Sequence, residues 1–205
     1  MFADRHDAGR RLAAALGHLA QEDPVVVGLP RGGVVVAAEV ADALGAPLDV
    51  IVVRKLGAPG RPEFAIGALG EGGVRVLTPL AAEVSPDVLE RIVAAEEAEL
   101  DRRAAVYRAG RDPVPLTGRT VVIVDDGVAT GATAGAACRV AKALGARRIV
   151  LAVPVAPRGW ERTIGDAADE YVAVETPRAM WAVGRFYDDF GQTSDDEVVA
   201  ALGTR

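Results

Sequence analysis

The chain is poor in the residues that make several kinds of chemistry easy. Of 205 residues only Cys138 is a cysteine, which excludes an intramolecular disulfide and a cysteine-built zinc site. Aromatic residues make up 4% while half of the chain is hydrophobic, so a core has to come from valine, alanine, leucine and isoleucine. That aliphatic, glycine-rich balance suits a parallel sheet covered by helices. The net charge is −6 without a long basic block, which argues against nucleic-acid binding by phosphate neutralisation. No stretch reaches about 18 uninterrupted apolar residues, so no membrane span is expected. The opening MFADRHDAGRRL mixes acids and arginines without an apolar run, so a cytoplasmic protein is expected rather than a secreted one.

The length suits one domain over 1–205. Asp7 is a candidate cap for a first helix carrying Leu12, Leu16 and Leu19 on one face. A buried strand from Val25 to Leu29 runs into Pro-Arg-Gly-Gly, and VVVAAEVADALGA reads as a helix closed by Gly45. LDVIVVRK reads as a second buried strand with Arg54 and Lys55 at its carboxyl end. Two short strand-like pieces, Glu63 to Leu69 and Val74 to Leu77, flank EGG as a hairpin. Ser85 and Pro86 open a long helix that stops at Gly110. RTVVIVDD is the next strand, followed by a helix from Thr130 to Leu144 that contains Cys138 as a small core residue. RRIVLAVPVA and EYVAVETP are the last strands, and Ser194 with Glu197 forms a capping box for a final helix. Strand and helix alternate, so the fold class is α/β with an open, mostly parallel sheet.

The chemistry concentrates in VVIVDDGVATGAT, Val121 to Thr133. In an open α/β sheet, ligands bind beyond the carboxyl ends of the strands, where Asp125 and Asp126 are placed. The backbone N–H groups of Ala129, Thr130, Gly131, Ala132 and Thr133 then open a helix and can surround a phosphate. The acids can accept from the two hydroxyls of a ribose, or hold water on a magnesium ion. A ribose 5-phosphate unit satisfies both halves. No lysine follows the glycine as in a P-loop, and no dinucleotide-binding fingerprint follows a strand.

VVIVDDGVATGAT resembles the phosphoribosyl-pyrophosphate signature of type I phosphoribosyltransferases. LPRGG, VVRKLGAPGRPEFAIGALGEGG and AVGRFYDDFGQTSDDEV extend the resemblance over most of the chain. The resemblance implies a parallel sheet with flanking helices, a flexible lid over about 58–111 and a C-terminal hood over about 154–205. It implies that Asp125 and Asp126 meet the ribose hydroxyls and that Ala129 to Thr133 cradle the 5-phosphate. Arg31, Gly32 and Gly33 would grip pyrophosphate, in a loop that often carries a cis peptide. Arg54 and Lys55 would neutralise the departing pyrophosphate, with Arg102, Arg103 and Arg108 reaching it on closure. Trp181, before Val183 and Gly184, occupies the place of a ring that stacks on the acceptor base, and Asp188 that of an acid near the metal. The implied activity is a Mg²⁺-dependent transfer from phosphoribosyl pyrophosphate to a nitrogenous, nucleobase-like acceptor, in a homodimer. LAVPVAPRG has no base-reading lysine, and Ala129 stands where purine-specific relatives place an acid, so the acceptor stays open. A regulatory protein that only binds the ligand could use the same pocket.

Overall fold

The computed structural model describes residues 1–203, without the side chains of Pro62 and Glu63. In chain order the elements are α1 (Arg5–Ala15), β1 (Val25–Gly28), α2 (Gly32–Leu44), β2 (Leu48–Val50), β3 (Val53–Ala58), β4 (Arg61–Gly70) and β5 (Val74–Leu77). They continue with α3 (Pro86–Arg108), β6 (Thr120–Val124), α4 (Ala132–Ala143), β7 (Arg148–Val155), α5 (Trp160–Ile164), β8 (Glu170–Glu175) and α6 (Asp195–Gly203).

Five strands form a parallel sheet in the order β2-β1-β6-β7-β8, as the α/β reading requires. Alternate residues of these strands feed two cores. Val26, Val122, Val124 and Val150 face one core with Leu12 of α1, Val40 of α2 and Leu202 of α6. Val27, Ile123 and Leu151 face the other with Ala137 of α4 and Trp160 of α5. Both cores are aliphatic, as the scarcity of aromatics demands.

The expected strand LDVIVVRK is two strands in two sheets. β2 ends at Val50, because the Val52 amide donates to a Glu71 carboxylate oxygen at 3.0 Å instead of extending the parallel ladder. From Val53 the chain starts a separate antiparallel sheet, β3-β4-β5. Arg54 and Lys55 therefore stand in this small sheet and not at the carboxyl end of a parallel strand. The hairpin across Glu71–Gly73 forms as expected.

Helix boundaries carry smaller corrections. Asp4, not Asp7, caps α1, its side chain accepting from the Asp7 amide at 2.7 Å. Ser85 precedes α3 without a side-chain capping bond. α4 starts at Ala132 rather than Thr130. The capping box at α6 forms in both directions: the Ser194 amide donates to Glu197 at 2.7 Å, and the Glu197 amide to the Ser194 hydroxyl at 3.2 Å. The segment expected to be a lid, 58–111, holds most of the small sheet and α3, which buries Val93, Leu100 and Tyr107. Among the described residues no helix is long and apolar enough to cross a membrane.

Candidate functional site

Two loops meet at the carboxyl end of the parallel sheet, after the neighbouring strands β1 and β6. Each leads into a helix whose first turn carries no acid and no side-chain cap: α2 begins after Arg31, α4 after Gly131. By contrast α1, α3 and α6 have acids in their first turns. An uncapped first turn leaves backbone N–H groups pointing outward with the positive end of the helix dipole, which is a ready anion site. The residues of the α4 loop, Ala129, Thr130, Ala132 and Thr133, are exposed, and Gly131 holds φ 77°, a left-handed conformation that favours glycine.

The glycines of the first loop exist for a close approach. A Cβ on Gly32 would stand 2.0 Å from Asp126 Oδ2, and one on Gly33 would stand 2.8 Å from the Asp125 Cα. Arg31, Gly32 and Gly33 are thus brought directly against Asp125 and Asp126. The Pro30–Arg31 peptide in this loop is cis. The Arg31 side chain lies 3.7 Å from Asp195 of α6 and lines a hollow of about 230 Å³ with Arg102, Arg103 and Tyr107.

Burial, and then the neighbouring Asp126 carboxylate, pushes the Asp125 carboxyl well above the usual range. Burial also raises Asp126, against the opposing pull of Arg5. Burial outweighs the partners these acids have, the Asp126 amide for Asp125 and Arg5 for Asp126, and a ligand with hydroxyls would add donors.

Sequence reasoning missed the frame around Asp126. The Arg5 Nε donates to Asp126 Oδ2 at 2.9 Å, its Nη1 donates to the Gly191 carbonyl at 2.7 Å, and its guanidinium lies 4.0 Å over the Phe190 ring. The Tyr187 hydroxyl donates to the Asp126 carbonyl at 2.6 Å. A Cβ on Gly127 would meet Val183 at 2.5 Å, so the AVGRFYDD stretch packs directly behind the acids. Only spatial proximity joins Arg5 to Asp126, 121 residues apart, and no local pattern announces it.

The remaining expected residues divide. Trp181 is 87% exposed and closes no core. Asp188 is exposed, anchored through its amide to the Phe2 carbonyl at 2.8 Å. Arg54 is held by Glu96 at 2.6 Å. Lys55 is exposed over a cavity between the small sheet and α4. Arg108, expected to be free to reach a ligand, is buried and paired with Asp49 at 3.0 Å and with Glu71. A pyrophosphate role for Arg54 would compete with its Glu96 pair, and one for Arg108 would break a buried ion network, whereas Lys55 lines one cavity with Ala132 and Thr133 of the phosphate loop. Burial pushes the Cys138 thiol up to about 12, as fits a core residue.

Among the described residues no group of three or more His, Cys, Asp or Glu side chains could hold a metal ion. Magnesium commonly keeps its waters and binds through one or two carboxylates plus substrate phosphates. The adjacent carboxylates Asp125 and Asp126 are of the type that could hold water on such an ion.

A family model described as "Phosphoribosyl transferase domain" matches residues 4–189. A protein of Mycobacterium tuberculosis named "putative phosphoribosyl transferase" is 54% identical over 205 residues, which is 98% of this chain and 46% of that protein. The chain thus spans less than half the length of these relatives. The adenine phosphoribosyltransferase of Mycobacterium marinum is 33% identical over 155 residues, covering 76% of this chain and 66% of that one. The crystal structure of the protein TT1426 from Thermus thermophilus matches with a TM-score of 0.90 at 51% identity, covering 98% of this chain and 97% of that one.

Proposed function

Because the chain belongs to the phosphoribosyl transferase domain family, we propose that it moves a phosphoribosyl group from phosphoribosyl pyrophosphate to a nitrogenous, nucleobase-like acceptor. A bond forms between the acceptor nitrogen and ribose C1, and the bond from C1 to the pyrophosphate oxygen breaks. The observation that carries this reading is the close approach of Gly32 and Gly33, at the uncapped start of α2, to the buried acid pair Asp125 and Asp126, which in turn leads into the uncapped start of α4. One ligand with a phosphate at one end, hydroxyls in the middle and a second anion beyond satisfies all three.

The loop into α4 and its first residues, from Ala129 to Thr133, take the 5-phosphate. Asp125 and Asp126 accept from the ribose hydroxyls, and their negative charge also favours positive charge building on C1 as the leaving group departs. Arg31 and the amides of Gly32 and Gly33 take the pyrophosphate. Mg²⁺, carried in on the pyrophosphate, would neutralise the leaving group, with Asp188 reaching it through water. Trp181 offers a flat face to a base, worth roughly 1–3 kcal/mol if stacked. The 58–111 segment acts as lid, and the 154–205 segment as hood. A homodimer belongs to the same reading; exposed Phe64 and Leu80 offer apolar surface for it.

The test is a panel of nucleobases and related amines incubated with phosphoribosyl pyrophosphate and Mg²⁺, with released pyrophosphate as the signal. Release that depends on one added acceptor is expected. Tight binding of phosphoribosyl pyrophosphate without release under any acceptor would instead select a regulatory binding protein. Absence of binding would sink both.

A further inference from the structure

A cavity of about 430 Å³ lies between the small sheet and one side of α4. Val53, Ala65, Ala68, Val76 and Leu77 of the sheet face Ala136 of the helix across it. Two cations stand at its margin, Lys55 of β3 and Arg139 of α4, both exposed. Among the described residues neither has an ion-pair partner, in a chain with 29 acids and 23 bases. Thr78 and Thr133 also line it; the Thr78 hydroxyl donates to the Ala65 carbonyl at 3.4 Å.

The size falls in the range of small-molecule sites, which are mostly apolar with a few placed polar groups. Apolar walls reject a strongly hydrated ligand such as a sugar phosphate. Unpaired cations at the rim reject an amine and favour a carboxylate, with charge-assisted hydrogen bonds. We infer that this cavity is a second ligand site, for an organic anion whose body is flat and apolar. Its body fills the space between β3–β5 and Ala136, and its carboxylate lies between Lys55 and Arg139. The site shares Ala132 and Thr133 with the phosphate loop and extends along α4 to Ala136 and Arg139, away from the end where the 5-phosphate is proposed to lie. Both ligands can therefore be bound together, and an occupant braces the turn that holds the substrate.

Calorimetric titration with 2-naphthoate and with its neutral isostere 2-naphthamide tests this. The expected result is one-to-one binding of naphthoate, roughly tenfold tighter than naphthamide, which corresponds to one good charge-assisted contact. Lys55→Gln with Arg139→Gln should erase that preference; both side chains are exposed, so the variant folds whatever the outcome. Ala136→Phe should abolish naphthoate binding by filling the space. Naphthoate should still bind at saturating ribose 5-phosphate. Equal binding of the two probes, no binding of either, unchanged preference in the double glutamine variant, or full displacement by ribose 5-phosphate each overturns the inference. Ribose 5-phosphate binding on its own reports the proposed transferase site, so failure of one reading leaves the other legible.

Discussion

Asp125 and Asp126 oppose folding of the empty protein at neutral pH. Their carboxyls are raised by burial, so each favours the folded state most where it is protonated. That contribution is fully present below the ordinary carboxylate pKa and is lost as pH rises through the raised folded value. Asp125→Asn should therefore raise the Tm of the ligand-free protein at pH 7 and change it less at pH 3. The same change with Asp126→Asn should abolish calorimetric binding of ribose 5-phosphate; a folded double variant that binds as wild type would falsify the ribose assignment. Arg5 is the residue that keeps Asp126 in place, with two directed hydrogen bonds that a lysine cannot both reproduce. Losing a charge-assisted bond is worth about 1.5–3 kcal/mol, so Arg5→Ala should weaken ribose 5-phosphate binding roughly ten- to a hundred-fold. Arg5→Lys should restore only part of it, and binding of inorganic phosphate should stay unchanged in both. An equal loss for phosphate would make Arg5 a general structural residue. Trp181 is exposed, so Trp181→Ala should leave the fold intact, and the acceptor KM should rise roughly ten- to a hundred-fold with little change for phosphoribosyl pyrophosphate. A drop in Tm, or equal effects on both substrates, would remove Trp181 from the acceptor site.

At the scale of elements, α3 is tied to the edge of the parallel sheet by one buried ion network. Arg108, near its end, donates to Asp49 of β2, to Glu71 and to the Val50 carbonyl. Removing one partner of a buried pair leaves an uncompensated charge, typically worth about 3–5 kcal/mol. Arg108→Ala should lower unfolding stability by about that much in urea titrations; a change below about 1 kcal/mol would mean that water replaces the guanidinium. The same network explains where the sequence was hard to read. LDVIVVRK carries no break signal, and its division after Val50 depends on the Glu71 side chain, 19 residues away from Val52. Arg108 reads as one more arginine on an amphipathic helix until Asp49 is placed beside it. What could be read was local: the closing glycine of α2, the capping box of α6, and the acid-to-glycine run after β6. Each of these is decided within a few residues. The frame of Asp126 needs the N-terminal helix and the 187–191 stretch together, and neither has a reason in its own neighbourhood to be there.

For the whole molecule, the candidate site is a seam. α2 belongs to one core and α4 to the other, and the loops before them follow adjacent strands at the carboxyl end of the sheet between them. A ligand that bridges the two loops binds the folded chain and not the unfolded one, so it stabilises the fold by mass action. At a hundred times its dissociation constant the gain is about 2.7 kcal/mol. For a domain of about 200 residues that corresponds to a rise in Tm of roughly 5–10 °C. Ribose 5-phosphate or phosphoribosyl pyrophosphate with Mg²⁺ should give such a shift, and inorganic phosphate at matched ionic strength a smaller one, because it meets only one loop. Gly131→Val separates the cradle from general salt effects. Its Cβ would lie 2.7 Å from the Ile164 side chain at φ 77°, so the variant should melt lower when empty. The clash and the left-handed φ displace the backbone amides that the anion would meet, so ligand should no longer raise its Tm. A Gly131→Val protein that gains as much from ligand as wild type would place the phosphate elsewhere on the sheet. A wild type that gains nothing from either sugar phosphate would leave the seam without the ligand its uncapped helices were read to hold.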